Sequence, residues 1–404
     1  MSIQLISALC PVCYHSVAAT FYDGGEQTLA TLAWPANAAE ARAMPRYPHD
    51  YVQCPKCTHI WNRSFSYNAI PYENNPNRMF NEGGIWRGHL KKTRDLLLAQ
   101  LKKSPTVLDI GCGEGHFVRG LSEARAGDGR FIGFDPNTTQ ETGRGVEFQA
   151  RYFEPLQDMR IFSPDAVTMR HMLEHLTDPA ALLDQLVWGS AMLGKPVWLF
   201  AEMPCVDRAF ETGRLVDFFY EHPSQFTTQS FRVLMERAGE VVEFGHGYGG
   251  EVVYALVSLR VSSVMQDRSN AANIFALQAN NTRAEIRAQL DDLAFSGIRL
   301  AIWGGTGKAA AFINQFSADA KRFPLVVDSD QDKVGTFVPG TGQVIQFRDV
   351  LKDSLISVII IPSQWRAKDI VAEIVREKIQ VSRILIEHKG RLIDFMLDDH
   401  PYSR

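Results

Sequence analysis

A glycine-rich turn after an apolar strand constrains the fold of this chain more than any other feature of its sequence. Residues 107–115 read Val-Leu-Asp-Ile-Gly-Cys-Gly-Glu-Gly, in which apolar residues give way to glycine at every second position. The pattern predicts a buried strand that turns sharply into a helix starting near His116. Glycine allows positive φ and a close approach of the backbone to a ligand, because it has no Cβ. The sequence therefore predicts a cofactor-binding turn built on Gly111, Gly113 and Gly115.

Residues 109–115 resemble the first motif of class I S-adenosylmethionine (SAM) methyltransferases. A dinucleotide site of the Gly-x-Gly-x-x-Gly kind would require glycine at position 116, where this chain has His116. The resemblance implies an acidic residue at the end of the second strand, where its carboxylate binds the ribose hydroxyls, and Asp135 stands there at the usual βαβ interval. Asp109 and Asp135 could instead cap turns, but strand, glycine turn, helix, strand and acid occur together in the expected order. SAM is therefore the predicted cofactor.

The length of the chain, 404 residues, predicts two or three domains. With 45% hydrophobic and 22% charged residues the chain is expected to be globular, and its net charge of −4 gives no reason to expect a nucleic-acid partner. No apolar run is long enough to span a membrane, so no membrane partner is expected. The first ten residues lack the basic start and long apolar stretch of a signal peptide, which predicts a cytoplasmic protein.

Four of the six cysteines form two Cys-Pro-x-Cys knuckles, at residues 10–13 and 54–57. Each knuckle places two thiolates on a tight turn, with the spread that tetrahedral Zn²⁺ requires. Disulfide pairing is the alternative, but a reducing cytoplasm and the repeated motif argue against it. Because all four positions are cysteine, no position is left for water. The sequence therefore predicts a structural zinc ion bound by Cys10, Cys13, Cys54 and Cys57.

We predict an α/β chain in three parts. Residues 1–65 form a zinc-binding module, residues 66–262 a linker helix and a Rossmann-like SAM-dependent methyltransferase domain, and residues 263–404 a second Rossmann-like domain. The glycine turn at 304–307 in the third part is not a Walker loop, because Lys308 is followed by alanine. This turn could hold a nucleotide or could simply be a tight connection in a scaffold that helps to bind the substrate.

The three parts in this order resemble the sugar C-methyltransferases that act on nucleotide-linked 4-keto-deoxysugars. The resemblance implies that the middle domain binds SAM, that the zinc module helps to cover the active site, and that the C-terminal domain contributes to a nucleotide-sugar pocket. It also implies a small-molecule acceptor, and we expect a monomer or a homodimer. Besides the knuckles and the glycine turn, the motifs that carry the resemblance are Glu174-His175-Leu-Thr-Asp178, Tyr220-Glu221-His222 and Lys333-Val-Gly-Thr-Phe-Val-Pro-Gly-Thr341.

Two segments contain the candidate catalytic residues. The strand at 165–169 is followed by polar residues at the edge where open α/β sheets bind ligands, so His175 is predicted to face the reacting centre and His171 to contact the methionine part of SAM. Glu221 and His222 are candidates for acid–base chemistry, because methylation of a carbon beside a ketone requires removal of a weakly acidic proton. Either histidine after the strand could instead be a buried structural residue, and the later pair could be an exposed loop.

The second of these segments departs from the family pattern. The family usually has Tyr-His-Glu-His where residues 219–222 read Phe-Tyr-Glu-His, so the expected tyrosine hydroxyl is missing. Near residue 250 the family serine position holds Glu251, and Tyr72 roughly matches a family tyrosine near the active site. The alternatives are O- or N-methylation of another small metabolite and a SAM-binding protein without turnover. The predicted function is C-methylation of a nucleotide-linked keto-deoxysugar, or a related metabolite, through base-assisted enolate formation.

Overall fold

The computed structural model describes residues 4–70, 83–143 and 145–403. These residues form two compact units, Met1–Ser263 and Val264–Arg404. The first unit contains a five-stranded and a seven-stranded sheet, and the second contains a six-stranded sheet. The predicted α/β fold class is therefore confirmed, and the residues that we assigned to a separate zinc-binding module lie within the first compact unit.

The N-terminal sheet is antiparallel and is built from two hairpins. Its strands are β1 (Leu5–Ser7), β2 (Val17–Gln27), β3 (Tyr47–Gln53) and β4 (Ile60–Asn62), with the short helix α1 (Ala38–Ala43) between β2 and β3. The first cysteine knuckle lies in the β1–β2 connection and the second in the β3–β4 connection. Each knuckle is thus the turn of a hairpin, and the sheet brings the two turns together.

The central sheet has the strand order β11-β12-β9-β8-β5-β6-β7. Strands β5 to β9 are parallel, whereas β12 pairs antiparallel with both β9 and β11. The middle strands β5 and β8 are buried at four of their five residues, as a sheet covered on both faces requires. The elements are α2 (Gly84–Leu98), β5 (Thr106–Ile110), α3 (His116–Ala124), β6 (Arg130–Phe134), β7 (Val146–Gln149), α4 (Pro155–Phe162), β8 (Ala166–Arg170), α5 (Pro179–Leu193), β9 (Trp198–Pro204), α6 (Asp207–Thr212), β10 (Ser224–Gln225), α7 (Thr228–Ala238), β11 (Gly239–Gly247) and β12 (Val252–Leu259).

One short strand connects the two sheets of the first unit. β10 does not join the central sheet but pairs antiparallel with β4 of the N-terminal sheet. Apolar residues of both sheets also share one buried core, in which Val12 and Val52 belong to the same cluster as Leu108 and Val167. The N-terminal sheet is therefore packed against the central sheet within one unit.

The second unit is an α/β domain with the strand order β15-β14-β13-β16-β17-β18, parallel except for the last pair. A Cβ on Gly305, in the predicted glycine turn, would lie 2.2 Å from the side chain of Ile345, so packing alone requires this glycine. Within the residues that the structure describes, no helix is both long and apolar enough to span a membrane. The elements are α8 (Ser263–Phe295), β13 (Leu300–Trp303), α9 (Lys308–Gln315), β14 (Val326–Asp328), β15 (Ile345–Phe347), β16 (Val358–Ile360), α10 (Ala367–Arg376), β17 (Arg383–His388) and β18 (Arg391–Asp394).

Candidate functional site

A cavity of about 1390 Å³ opens at the carboxyl ends of the central parallel strands. It is lined by residues that follow three neighbouring strands, namely Gly113 after β5, Asp135 after β6 and His171 after β8. This is the edge at which open α/β sheets bind ligands. The volume exceeds the roughly 300–1,000 Å³ of an ordinary small-molecule pocket, so the cavity can hold a cofactor together with a small acceptor.

The glycine turn has the strand-to-helix geometry that its sequence predicts, and α3 begins at His116. Gly111, Gly113 and Gly115 all have positive φ, at 69°, 52° and 77°. A Cβ at position 111 would lie 2.9 Å from the Met172 side chain, and a Cβ at position 115 would lie 2.6 Å from the Phe148 ring. A Cβ at position 113 would meet nothing within 4 Å. Packing therefore requires the outer two glycines, while the middle one leaves the backbone open to a ligand.

The two predicted acids support this turn in different ways. The Asp135 carboxylate accepts hydrogen bonds from the Gly113 amide at 3.0 Å and from the Asn137 amide at 2.9 Å, so it holds the turn against the end of β6. Asp109 is buried and accepts a hydrogen bond of 2.6 Å from the Thr168 hydroxyl. Burial raises the pKa of Asp109 to about 6, although the Thr168 hydroxyl favours its charged form. Both carboxylates lie at the cavity, as the sequence pattern indicates.

His175 has a defined tautomer at the wall of the cavity. Its Nδ1 lies 2.8 Å from the backbone carbonyl oxygen of Glu221. Since a carbonyl oxygen can only accept a hydrogen bond, Nδ1 carries the proton, and the lone pair of the neutral ring is on Nε2. The His222 ring packs edge-on against the His175 ring, with 4.7 Å between the ring centroids. The structure thus brings together the two histidines that the sequence proposed for catalysis.

A buried carboxylate accompanies these histidines. Glu174 is 2% exposed, and one of its carboxylate oxygens lies within 4.8 Å of ring nitrogens of His175 and His222. Burial alone would raise the pKa of Glu174, but His171, His175 and His222 together hold it below its ordinary value. Burial lowers the pKa of His222 to about 3, and the neighbouring His175 acts in the same direction. At neutral pH Glu174 is therefore ionised and His222 is neutral.

His171 is held by two carboxylates at the end of β8. Its ring nitrogens lie 3.6 Å from a Glu174 oxygen and 3.5 Å from a Glu202 oxygen. Burial favours the neutral ring, but the two carboxylates outweigh this effect and raise the pKa of His171. Glu202 also binds Arg170, with an N–O distance of 2.6 Å, and His89 of α2. The wall of the cavity beside the glycine turn is therefore a buried network of charged groups.

Sequence reasoning missed Arg170 and Trp86, which line the cavity, and Glu202, which binds Arg170. Glu202 lies on β9 and Trp86 on α2, and no motif connects these elements with the end of β8. The Arg170 guanidinium lies 5.3 Å from the Trp86 ring centroid, and both side chains line the cavity. Only Arg170 had a signal in the sequence, because it stands directly before the candidate residue His171. Glu174 was also not chosen as a site residue, although it stands beside His175 in a quoted motif.

The Glu221 side chain is not among the residues that line the described cavity. Its Oε1 atom accepts hydrogen bonds from the three backbone amides of residues 30–32, at 2.8, 2.7 and 3.1 Å. The neighbouring Tyr220 hydroxyl accepts a hydrogen bond of 2.9 Å from the Ser66 amide. Both side chains of this motif therefore bind the N-terminal part of the unit, whereas His222 contacts His175. Tyr72 lies outside the described residues.

The four cysteines of the two knuckles form a candidate metal centre. The Cys10 and Cys57 sulfurs are 3.5 Å apart, the Cys13 and Cys54 sulfurs are 3.6 Å apart, and all four lie within 4.8 Å of one another. A disulfide would bring two sulfurs to about 2.05 Å. Four ligands at about 2.3 Å from a tetrahedral zinc ion would stand roughly 3.8 Å apart. All six cysteines of the chain are unpaired, so the cluster has the spacing of a metal site rather than of two disulfides.

The two knuckles also share one backbone geometry. The residue after each knuckle donates its amide to the first cysteine carbonyl, Tyr14 to Cys10 at 2.9 Å and Thr58 to Cys54 at 2.9 Å. Both Tyr14 and Thr58 have positive φ, at 55° and 64°. Such matched turns present their sulfurs symmetrically, as a four-thiolate site requires.

Comparisons with known proteins identify two regions of the chain. A family model described as a methyltransferase domain matches residues 85–252, and one described as a C-methyltransferase C-terminal domain matches residues 258–386. No curated protein sequence matches the chain. The first of these regions contains the glycine turn, both acids and the histidine cluster.

Solved structures of methyltransferases resemble part of the chain. The plantazolicin methyltransferase BpumL in complex with SAH is 14% identical, with 44% of this chain and 85% of that chain covered and a TM-score of 0.34. The N-methyltransferase NodS from Bradyrhizobium japonicum WM9 is 18% identical, with 45% of this chain and 100% of that chain covered and a TM-score of 0.31.

Proposed function

Because this chain is a SAM-dependent methyltransferase, we propose that it methylates a carbon atom beside a carbonyl group of a small-molecule acceptor. A nucleotide-linked keto-deoxysugar is the acceptor class that we propose, with a single base removing the proton from that carbon. The observation that carries the proposal is the hydrogen bond from His175 Nδ1 to the Glu221 carbonyl, which puts the lone pair of a cavity histidine on Nε2. The match to a C-methyltransferase C-terminal domain at residues 258–386 also supports methylation of a carbon atom.

The residues at the end of the central strands fit the proposed cofactor. The backbone at Gly113 faces open space, so that a ligand can approach it, and Asp135 presents a carboxylate that can accept hydrogen bonds from ribose hydroxyls. When bound, SAM supplies an electrophilic methyl group on a sulfonium centre. The residues that we propose to hold it are Asp109, Gly111, Gly113, Gly115, Asp135 and His171.

Replacing Asp135 with alanine is expected to weaken SAM binding. The substitution removes a charged acceptor from the cavity and releases the Gly113 amide, and hydrogen bonds to charged groups contribute about 1.5–3 kcal/mol, or roughly a 10- to 150-fold change in Kd. Isothermal titration calorimetry with SAM measures the effect. Asp95→Ala, which removes an exposed carboxylate paired with Lys91 on α2, is the matched control and should leave Kd unchanged. An unaltered Kd for Asp135→Ala would refute the assignment.

We assign proton removal to His175 rather than to His222. A ring whose pKa is about 3 is a weak base at neutral pH, and His222 does not line the described cavity. His175 can accept the proton on Nε2 while Nδ1 keeps its hydrogen bond to the Glu221 carbonyl. The ionised Glu174 beside it then stabilises the imidazolium that forms. In this scheme His222 packs against the base and keeps its ring in place.

Deuterium exchange separates C-methylation from methylation of oxygen or nitrogen, which needs no carbon–hydrogen bond to break. The enzyme is incubated in D₂O with SAM and a panel of nucleotide-linked 4-keto-deoxysugars, and products and recovered substrates are analysed by mass spectrometry. We expect a methylated product and deuterium at the carbon beside the ketone in recovered substrate. Binding of SAM without exchange or methylation of any keto-sugar would contradict the proposal. Acceptors with hydroxyl or amino groups would then be the next panel, since Phe219 replaces the family tyrosine.

The cysteine cluster supports a structural zinc ion. Cys10, Cys13, Cys54 and Cys57 would fill all four positions of a tetrahedral site, which leaves none for a substrate or water. The ion would hold together two hairpin turns that are 41 to 47 residues apart in sequence.

A further inference from the structure

Residues 219–224, which we call the bridge segment, lie between the N-terminal sheet and the short helical turn that contains His175. On one side, the Tyr51 hydroxyl donates to the Phe219 carbonyl at 3.0 Å, and the Asn62 amide donates to the Pro223 carbonyl at 2.9 Å. Ser224 begins β10, which pairs with β4. The position of the bridge segment is therefore set largely by the N-terminal sheet.

Glu221 makes the strongest of these attachments. Its carboxylate is fully buried, and a single oxygen accepts three backbone amides of the loop at 30–32, about 190 residues away in sequence. All three hydrogen bonds would have to break before the Glu221 side chain could leave the loop. A buried amide without an acceptor is unfavourable, so the loop and Glu221 hold each other in place.

The same residue contacts the opposite side through its backbone. The Glu221 carbonyl accepts the hydrogen bond from His175 Nδ1 at 2.8 Å, and the Ser224 hydroxyl donates to the Leu176 carbonyl at 2.6 Å. The carbonyl can select the Nδ1–H tautomer only while the bridge segment stays in place. If the carbonyl moves away, the ring loses the acceptor that holds the proton on Nδ1.

We propose that Glu221 is a positioning residue, which links the N-terminal part of the chain to His175. Through Glu221, the N-terminal part sets the tautomer and the orientation of the His175 ring. Its carboxylate fixes the bridge segment to the loop at 30–32, and its carbonyl fixes the imidazole. This inference rests on the proposed function, in which His175 removes a proton. It gives the N-terminal sheet a role in catalysis without placing any of its side chains on the substrate.

Two substitutions at Glu221 test the proposal. Glu221→Ala removes the acceptor of three amides and is expected to lower kcat by about 100-fold, because a displacement of about 1 Å is enough for such a loss. Glu221→Gln keeps an oxygen acceptor and is expected to stay within about 5-fold of the parent enzyme, because the amide oxygen can accept the same three hydrogen bonds. The Kd for SAM should not change in either variant. Equal losses of kcat in the two variants would overturn the amide-anchor role.

A spectroscopic measurement distinguishes positioning from general loosening of the fold. The ¹⁵N resonances of the His175 ring, assigned by their absence in His175→Gln, report which ring nitrogen carries the proton. They are expected to keep the Nδ1–H pattern in Glu221→Gln and to lose it in Glu221→Ala. Unchanged ¹⁵N resonances together with unchanged kcat in Glu221→Ala would overturn the proposal.

A milder pair of variants covers the case in which Glu221→Ala does not fold. Tyr51→Phe removes only the hydroxyl that holds the Phe219 carbonyl and should shift the His175 resonances and lower kcat several-fold. Tyr22→Phe is the matched control, because its ring stacks on Tyr51 but no hydrogen bond of its hydroxyl to the bridge segment occurs among the described residues. Identical behaviour of the two variants would overturn the proposal.

The outcome for His175→Gln separates this inference from the proposed function. If His175→Gln is inactive while Glu221→Ala is normal in kcat and in its ¹⁵N resonances, the positioning role fails and the base assignment stands. If His175→Gln keeps full activity, the proposed function fails, and the tautomer in Glu221→Ala alone decides whether the bridge segment positions the ring.

Discussion

Replacing His175 with glutamine is expected to lower kcat for methyl transfer by about 10²- to 10⁴-fold, the contribution of a well-placed general base. Glutamine keeps a side-chain amide that can donate to the Glu221 carbonyl, so the local hydrogen bond survives while the basic nitrogen is lost. The expected result is a fall in kcat with little change in the Kd for SAM. Steady-state kinetics and calorimetry measure the two quantities separately.

Two further variants make the His175 prediction specific. His388→Gln, on β17 of the second compact unit, is the control and should have the parent kcat, because His388 does not line the described cavity. His222→Gln is expected to lose about 10-fold, since the ring packs against His175 but has a pKa of about 3. A larger loss for His222→Gln than for His175→Gln would reverse the assignment of the base.

Removal of the proposed zinc ion is expected to unfold the N-terminal sheet and to inactivate the enzyme. Binding of structural zinc to four thiolates contributes on the order of 10–16 kcal/mol to folding at neutral pH, which exceeds the total stability of many domains. The Cys54→Ser/Cys57→Ser double variant removes two of the four thiolates and should bind no zinc. Because the cysteines belong to the same buried core as the central sheet, a large fall in Tm is expected rather than a local change.

Metal analysis and thermal unfolding test the zinc prediction together. The parent protein should contain one zinc ion per chain, and a strong chelator should lower its Tm. Cys205→Ala is the matched control, because Cys205 is a buried cysteine outside the four-sulfur cluster and its loss should leave the zinc content at one. A metal-free parent protein with an unchanged Tm, or disulfides at the knuckles in the mass spectrum, would refute the prediction.

The parts of the site that depend on neighbouring residues were predictable from the sequence. Local conformation explains the glycine turn and the start of α3 at His116, because only glycine adopts positive φ freely and an apolar run must turn at the edge of a sheet. The position of Asp135 follows from the usual length of a βαβ unit. The cysteine knuckles were predictable for the same reason. Each pair lies on a single turn, and two hairpins of one sheet bring the turns together.

The distribution of roles among the acidic residues could not be predicted in this way. The sequence places Glu221 beside His222, and this adjacency suggested a carboxylate–histidine pair. In the structure the Glu221 side chain points to the loop at 30–32, and Glu174 supplies the carboxylate near His222. Neighbours in a turn can point in opposite directions, so adjacency in sequence does not determine which side chains meet.

The sequence by itself determined the fold class, the glycine turn and the cysteine knuckles, because each is encoded in patterns of residues that are neighbours along the chain. The tertiary structure alone decided the tautomer of His175, the network around Glu202 and the attachment of the bridge segment to the N-terminal sheet. These features depend on contacts between residues as much as 191 positions apart. Burial makes such contacts specific, since a buried charge or amide must find its partner wherever the chain brings one.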